Sequence, residues 1–239
     1  MRRILPYKRR SRRSTKNTQT RSVRRKMRGG GVPSFHIMIV TAGRDSLIKM
    51  INSLKGQLSE NDAVTVVFDG KFAKRNSKYE PSWTNDMKCK VNIIEQIPGL
   101  KHYGHPTINK YLPQLDPKKT YVMFADDDDV YVDGAFDILR AKCVDPDILY
   151  LAQFKNKEGT IVPPVGSSSI EINHIGKVCG IIPFDKRSEA SMGATTRTGD
   201  FDYYNVLQHK VKGVQFLDHI IYLCDNTTPN PLNSNKNLF

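Results

Sequence analysis

The sequence predicts an α/β fold with a mostly parallel central sheet flanked by helices. Two observations carry this. Short, almost wholly apolar runs of strand length recur at 35–40 (FHIMIV), 62–69 (DAVTVVFD) and 121–125 (YVMFA), as expected of strands covered on both faces. Stretches of helical periodicity lie between such runs, so that strand and helix alternate at roughly 25 to 30 residues per unit.

The chain opens on an arm. Thirteen of its first thirty residues are Lys or Arg and none is Asp or Glu, which leaves 24 basic residues against 24 acidic ones in the remainder. The net charge of +13 therefore belongs to the arm, and the rest of the chain is formally neutral. Residues 1–28 hold little that is apolar and are expected to be disordered. Such charge density suits contact between residues 1–30 and a polyanion, by counterion release. Gly29, Gly30 and Gly31 join the arm to the domain that begins near residue 34.

Strand 35–40 runs into the turn Thr41-Ala42-Gly43-Arg44, after which Asp45 is expected to cap a helix over 46–58 with Leu47, Met50, Ile51 and Leu54 on one face. The second strand stops at Asp69-Gly70, and the polar stretch 71–88 is ambiguous. A third strand, 91–97, ends at Pro98-Gly99, and a short helix follows over 106–115. The strand at 121–125 runs straight into Asp126, Asp127, Asp128 and Asp129. A helix over 134–143 and a strand over 148–154 complete the regular part. Hairpin and loop are expected over 155–175, ordered segments at 175–184, 201–208 and 214–223, and a loose tail rich in Asn and Pro over 226–239.

Cys89, Cys143, Cys179 and Cys224 make no CxxC pair or zinc spacing, so they read as isolated core thiols of a reduced compartment. No segment approaches 18 consecutive apolar residues, and no apolar stretch follows the basic N-terminus. Neither a transmembrane segment nor a secretory signal is expected, and the location expected is cytoplasmic.

Four consecutive aspartates at the end of a buried strand are the strongest local signal for chemistry. Ligands of open α/β sheets bind beyond the carboxyl ends of the strands. Carboxylates packed this closely repel unless a cation or hydrogen bonds hold them. A hard ion such as Mg2+ or Mn2+ takes oxygen ligands and often shares its shell with phosphate oxygens and water. The run therefore points to a phosphorylated ligand held through a divalent metal; its bland alternative is an acidic turn capping the next helix. Asp69 could accept hydrogen bonds from a base or ribose, although an Asp-Gly turn after a strand is common. The turn Thr41-Ala42-Gly43-Arg44 matches neither GxGxxG nor GxxxxGK[ST]. Asp200 or Asp202, in Gly199-Asp200-Phe201-Asp202, could serve as a general base or merely start a helix. His102 and His105 lie in a Gly/Pro-rich loop within possible reach of a phosphate, and ordinary surface roles fit them as well.

In this order the motifs resemble the GT-A glycosyltransferases of the family 2 type, over roughly residues 35–225. FHIMIVTAGR matches the family's first strand and turn. Its acidic signature matches Asp126-Asp127-Asp128-Asp129-Val130-Tyr131, a DxD motif. The resemblance implies the nucleotide-diphospho-sugar transferase fold, with a nucleotide-sugar-binding half at 34–132 and an acceptor half at 133–225. It implies Mn2+ or Mg2+ on Asp128 with Asp126, and Asp127 near the ribose. Asp69 would contact the base, and Asp200 would be the catalytic base with Asp202 in reserve. The family's basic residue near the donor falls on Ile108, which leaves Lys110 or Arg44 to hold phosphates beside Thr41 and Ala42. The partners implied are a nucleotide-sugar donor, most often a UDP-sugar, and a glycan or other hydroxyl acceptor, with inversion at the anomeric carbon. Residues 155–200 would shape the acceptor pocket and close over the donor. A basic arm on such an enzyme suggests a large DNA virus or phage as the source. Two rivals stand beside this reading: a nucleotidyltransferase, and a nucleic-acid-binding or virion-associated protein that works through its arm.

Overall fold

Seven consecutive buried residues make β1 (Phe35–Thr41), and seven more make β2 (Ala63–Asp69). Strands buried throughout must be covered on both faces. The computed structural model, which describes residues 31–115, 119–193 and 198–224, pairs them in parallel with β3 (Lys90–Gln96) and β4 (Tyr121–Asp126) in the order β3-β2-β1-β4. The expectations for the arm over 1–30 and the tail over 226–239 lie outside the described residues. Thr41 is level with Phe68, Asp69 with Gln96, and Val40 with Asp126. All four strands thus finish along one edge, and the side chains at that edge are the ones the sequence marks for chemistry.

Helix α1 (Leu47–Leu54) buries Leu47, Met50, Ile51 and Leu54, the face expected of it, but ends four residues before the expected limit. Its expected cap is a correction: Ser46 holds the cap position, and Asp45 is exposed and accepts a bond from Lys78 at 2.6 Å. The ambiguous stretch contains α2 (Ala73–Asn76) and a 3-10 turn, Pro81–Thr84. Helix α3 (His105–Tyr111) gives way to a 3-10 turn, Leu112–Gln114, where Pro113 lacks the amide a longer helix needs. Helix α4 (Ala135–Lys142) starts from Gly134 at φ 76°, a left-handed conformation that glycine adopts freely.

The sequence offered no sign of β5 (Asp129–Tyr131), which uses the last aspartate of the acidic run as a strand residue. Next come β6 (Ile148–Lys155), β7 (Ile161–Val162), which forms the expected hairpin with it, and β8 (Gly180–Pro183). Helix α5 (Gly199–Leu207) and β9 (Gly213–Cys224) follow. Strand β8 lies antiparallel to both β4 and β6 and joins the four parallel strands to a second set, in which β6 and β9 are parallel and β5 is antiparallel to β9. The full order is β3-β2-β1-β4-β8-β6-β9-β5. The sheet is mixed, with its parallel part where the sequence shows the clearest alternation.

Side-chain alternation divides the core into two layers. Phe35, Ile37 and Ile39 point to one face, with Met50 of α1 and Phe136 of α4. Met38 and Val40 point to the other, with Ile108 of α3 and Tyr203 of α5. Ile108, the position where the resemblance places a basic donor contact, is therefore core. All four cysteines are free, three of them buried. Among the described residues no helix is long and apolar enough to cross a membrane.

The opposite end of the sheet is locked by Asp62, which is fully buried. Its carboxylate accepts bonds from the amide of Phe35 at 2.8 Å, from the amide and hydroxyl of Ser59 at 2.7 and 2.8 Å, and from Arg140 at 2.5 Å. One side chain thereby fixes the start of β1, the turn before β2, and α4. Asp62→Ala is expected to destabilise the protein by about 3–5 kcal/mol, because Arg140 and two amides lose their acceptor. Chemical denaturation checks this, and a change below about 1 kcal/mol would overturn it.

Candidate active site

The acidic run leaves the sheet edge at Asp126 and turns back into β5. Strand β9 holds the turn: Tyr131 pairs with Tyr222, and the Asp126 amide donates to the Tyr222 hydroxyl at 2.8 Å. Asp127, Asp128 and Asp129 are buried, and Asp126 keeps about a third of its side chain exposed (34%). Burying several like charges requires opposite charge close by, and the chain supplies two cations. Arg44, at the end of the turn after β1, places Nη1 3.2 Å from Asp127 and in contact with Asp128. The Thr41 hydroxyl donates to Asp127 and accepts from the Gly43 amide at 2.9 Å. Gly43 is needed here, since a Cβ would lie 2.4 Å from the Ala73 carbonyl oxygen.

The second cation is Lys177. Its ammonium lies 2.5 Å from Asp126, its amide donates to Asp200 at 3.0 Å, and its carbonyl accepts from the Tyr204 hydroxyl at 2.7 Å. Every polar group of this buried residue thus touches the acidic run or α5. Burial works against the Lys177 ammonium, but Asp126 and Asp200 outweigh it and hold the pKa above its ordinary value. Arg44 behaves likewise: burial opposes its charge, and Asp127 and Asp128 raise it nonetheless. Burial pushes the Asp127 carboxyl up to about 6, against the pull of Arg44 and the Thr41 hydroxyl. One guanidinium shared between two carboxylates does not compensate fully for removing them from water.

Asp200 sits in the first turn of α5. Its other carboxylate oxygen lies 3.1 Å from His105 Nε2, and His105 Nδ1 lies 2.8 Å from the Gly193 carbonyl oxygen. Both ring nitrogens thus lie within hydrogen-bond distance of an oxygen acceptor. Burial would raise Asp200, but the His105 bond and the Lys177 charge together hold it below the usual carboxylate range. Helix α3 also grips the approach to α5 through Asn109, which exchanges two bonds of 2.9 Å with the Met192 backbone. Gly199 allows this contact: a Cβ there would meet the Gly193 oxygen and His105 Nδ1, each at 2.7 Å.

The structure thus brings together Thr41, Arg44, Asp126, Asp127 and Asp128, and links them to Asp200 through Lys177. Ala42 is a half-buried turn residue beside them. Asp202 stands apart: it is exposed and accepts a bond from Thr198, so it serves the start of α5. Asp69 lies on the same edge but is occupied by backbone, accepting from the Leu100 and Lys101 amides at 2.7 and 3.1 Å. Those amides open a segment in which Lys101, His102, Tyr103 and Gly104 all have positive φ, between 51° and 79°. Lys110 is exposed and donates to Gln96 at 2.6 Å, one strand end further out. His105, for which a surface role was open, is buried. Lys177 escaped the sequence reading altogether, although a single lysine within the apolar run IGKVCGIIPF was the available signal.

The donor set suits a hard divalent ion shared with a phosphorylated ligand. It is all oxygen, and Asp126, Asp127 and Asp128 bring three carboxylates to the two buried cations Arg44 and Lys177. Among the described residues no group of three or more His, Cys, Asp and Glu is placed to hold a metal ion.

No protein-family model matches the chain, and no curated protein matches it. Solved structures do. S. aureus TarS superposes with a TM-score of 0.63 at 17% identity, over 80% of this chain and 36% of that one. The 1–349 portion of TarS in complex with UDP gives 0.58 at 16% identity, over 80% and 60%. A mannosyltransferase from Pyrobaculum calidifontis, PcManGT, in complex with GDP-Man and Mn2+, gives 0.60 at 9% identity, over 81% and 57%. The chain spans between about a third and three fifths of the length of these structures. Their common fold, the GT-A-like fold of glycosyltransferases, is the fold of this chain.

The depressed Asp200 carboxyl stabilises the folded state above the ordinary carboxylate range, near 3.9, and that contribution disappears as pH falls through its lower folded value. The stability difference between wild type and Asp200→Asn should be largest above about pH 4 and close below it. Denaturation curves from pH 7 to pH 3 test this, and a gap independent of pH would refute the pairing.

Proposed function

We propose that the chain is a glycosyltransferase. It moves a sugar from a nucleotide-sugar, a UDP-sugar foremost, to a hydroxyl acceptor, with Mn2+ or Mg2+ and with inversion at the anomeric carbon. The observation that carries this reading is the link from Asp126 through Lys177 to Asp200. It couples an acidic run suited to a metal-bound diphosphate to a separate carboxylate suited to an acceptor hydroxyl. TarS with UDP and PcManGT with GDP-Man and Mn2+, which share the fold, support the donor class and the ion.

Asp128 and Asp126 are the residues that would hold the ion, which when bound supplies positive charge against the diphosphate as it departs. Thr41, Ala42 and Asp127 border the nucleotide, and Asp69 orders the segment beside the base. Residues 34–132 make the donor half and residues 133–225 the acceptor half. Asp200 accepts a hydrogen bond from the acceptor hydroxyl. A carboxylate held below its usual range is a weak base, so it takes the proton only as the hydroxyl oxygen bonds to the anomeric carbon and becomes acidic. In the same displacement the bond from the anomeric carbon to the phosphate oxygen breaks, and its electron pair leaves with the diphosphate. His105 and Lys177 keep Asp200 anionic and aimed.

Thermal-shift binding of a nucleotide-sugar panel to the full chain, with and without Mn2+, tests the class. Metal-dependent stabilisation by one UDP- or GDP-sugar is expected, and silence across the panel from a folded protein would sink it. Asp128→Ala should lose metal-dependent donor binding and keep its fold; unchanged binding would remove Asp128 from the metal site. Asp200→Asn should keep donor binding and lose transfer by on the order of 10²- to 10⁴-fold, and a rate equal to wild type would exclude it as the base.

A further inference from the structure

Each of the two carboxylates assigned to the ion is already held by a cation of the chain. Arg44 contacts Asp128, and its side chain is 5% exposed; Lys177 contacts Asp126, and its side chain is 9% exposed. Neither is a mobile surface group. Arg44 is also paired with Asp127, and Lys177 is fixed through its amide and carbonyl to Asp200 and Tyr204. Burying a guanidinium and an ammonium is unfavourable unless they neutralise something equally buried. A site built around a permanently resident ion would not need both. A site that stands metal-free between turnovers would, because its acidic run must be neutralised in that state too.

A divalent ion entering the empty protein must therefore compete with a buried resident cation at each ligand. A diphosphate changes the balance. It offers the two cations new anionic partners and releases the carboxylate oxygens to the metal. We propose that Arg44 and Lys177 are resident counter-ions that close Asp128 and Asp126 to a divalent ion in the empty protein and pass to the diphosphate when the donor enters, so that metal and nucleotide bind as a cooperative pair. The proposal rests on the reading of Asp126 and Asp128 as metal ligands given above. It adds a positioning role for Lys177 that neither composition nor motif had suggested. Coupling of this kind is reciprocal: whatever factor UDP adds to Mn2+ affinity, Mn2+ adds to UDP affinity.

The test is Mn2+ titration of the full chain without nucleotide, followed by electron paramagnetic resonance, and repeated with UDP after correction for Mn2+ bound to free UDP. Lys177→Gln and Arg44→Gln should each bind Mn2+ at least about tenfold more tightly than wild type in the absence of UDP. Lys177→Arg, which keeps the charge, should stay close to wild type. The gain in Mn2+ affinity on adding UDP should shrink in the two neutral variants by the factor already gained without it. Mn2+ affinities in both neutral variants equal to or weaker than wild type, or an undiminished UDP effect, would overturn the proposal. Arg44→Gln leaves two buried carboxylates without their cation; if circular dichroism shows it unfolded, Lys177→Gln, whose Asp126 is partly solvated, decides alone. Failure of UDP to bind the wild type at all would sink the donor reading, while the nucleotide-free comparison still judges the counter-ions.

Discussion

Four carboxylates at the end of one buried strand cannot stay charged without compensation, and their compensation organises the site. The chain draws its two cations from places far apart in sequence. Arg44 comes from the turn after β1, and Lys177 from the short 3-10 turn, Lys177–Cys179, before β8. The first belongs to the parallel strands and the second to the mixed set. Neither set could therefore assemble the acidic run in a tolerable electrostatic state alone. Strand β8, antiparallel to β4 and β6, joins the two sets and delivers Lys177 to the edge.

Helix α3 is the other organising element. It enters the core through Ile108, with Leu112 following it, and its buried His105 and its Asn109, one turn apart on the same side, bind the backbone at 192–193 that leads toward α5. The same His105 pairs with Asp200. Core packing of a seven-residue helix thereby sets the position of the proposed base. Gly199 is the steric condition for that approach, because any larger residue would collide with the ring it must face.

Much of this was legible in the sequence, and for a definite reason. Strands buried on both faces leave unbroken apolar runs, so β1, β2 and β4 announce themselves, and an unusual acidic run announces its end of the sheet. The resemblance singled out Asp200 as well, which Lys177 links to the acidic run. What the sequence hid were partnerships that arise only when distant segments meet. Lys177 looks like any lysine until its three polar groups are followed, and His105 looks like a loop histidine. Asp45, an ordinary helix cap by local rules, was drawn to Lys78 instead, while Asp202, a candidate base, accepts a bond from the Thr198 hydroxyl at the start of α5. Strand β5 is too short to leave a period, and only its pairing with β9 defines it.

Asp69 holds the Leu100 and Lys101 amides at the head of four residues in left-handed backbone, three of them not glycine. Such residues cost on the order of 1–3 kcal/mol each, and they persist only where the surroundings over-determine them. The aspartate and the segment 100–104 therefore form one heritable unit. In a lineage that loses the carboxylate, Lys101, His102 and Tyr103 should give way to glycine or asparagine, the residues that tolerate this backbone unaided. Drift at the second strand's end and drift in that distant loop would then be correlated, through one carboxylate and two amides.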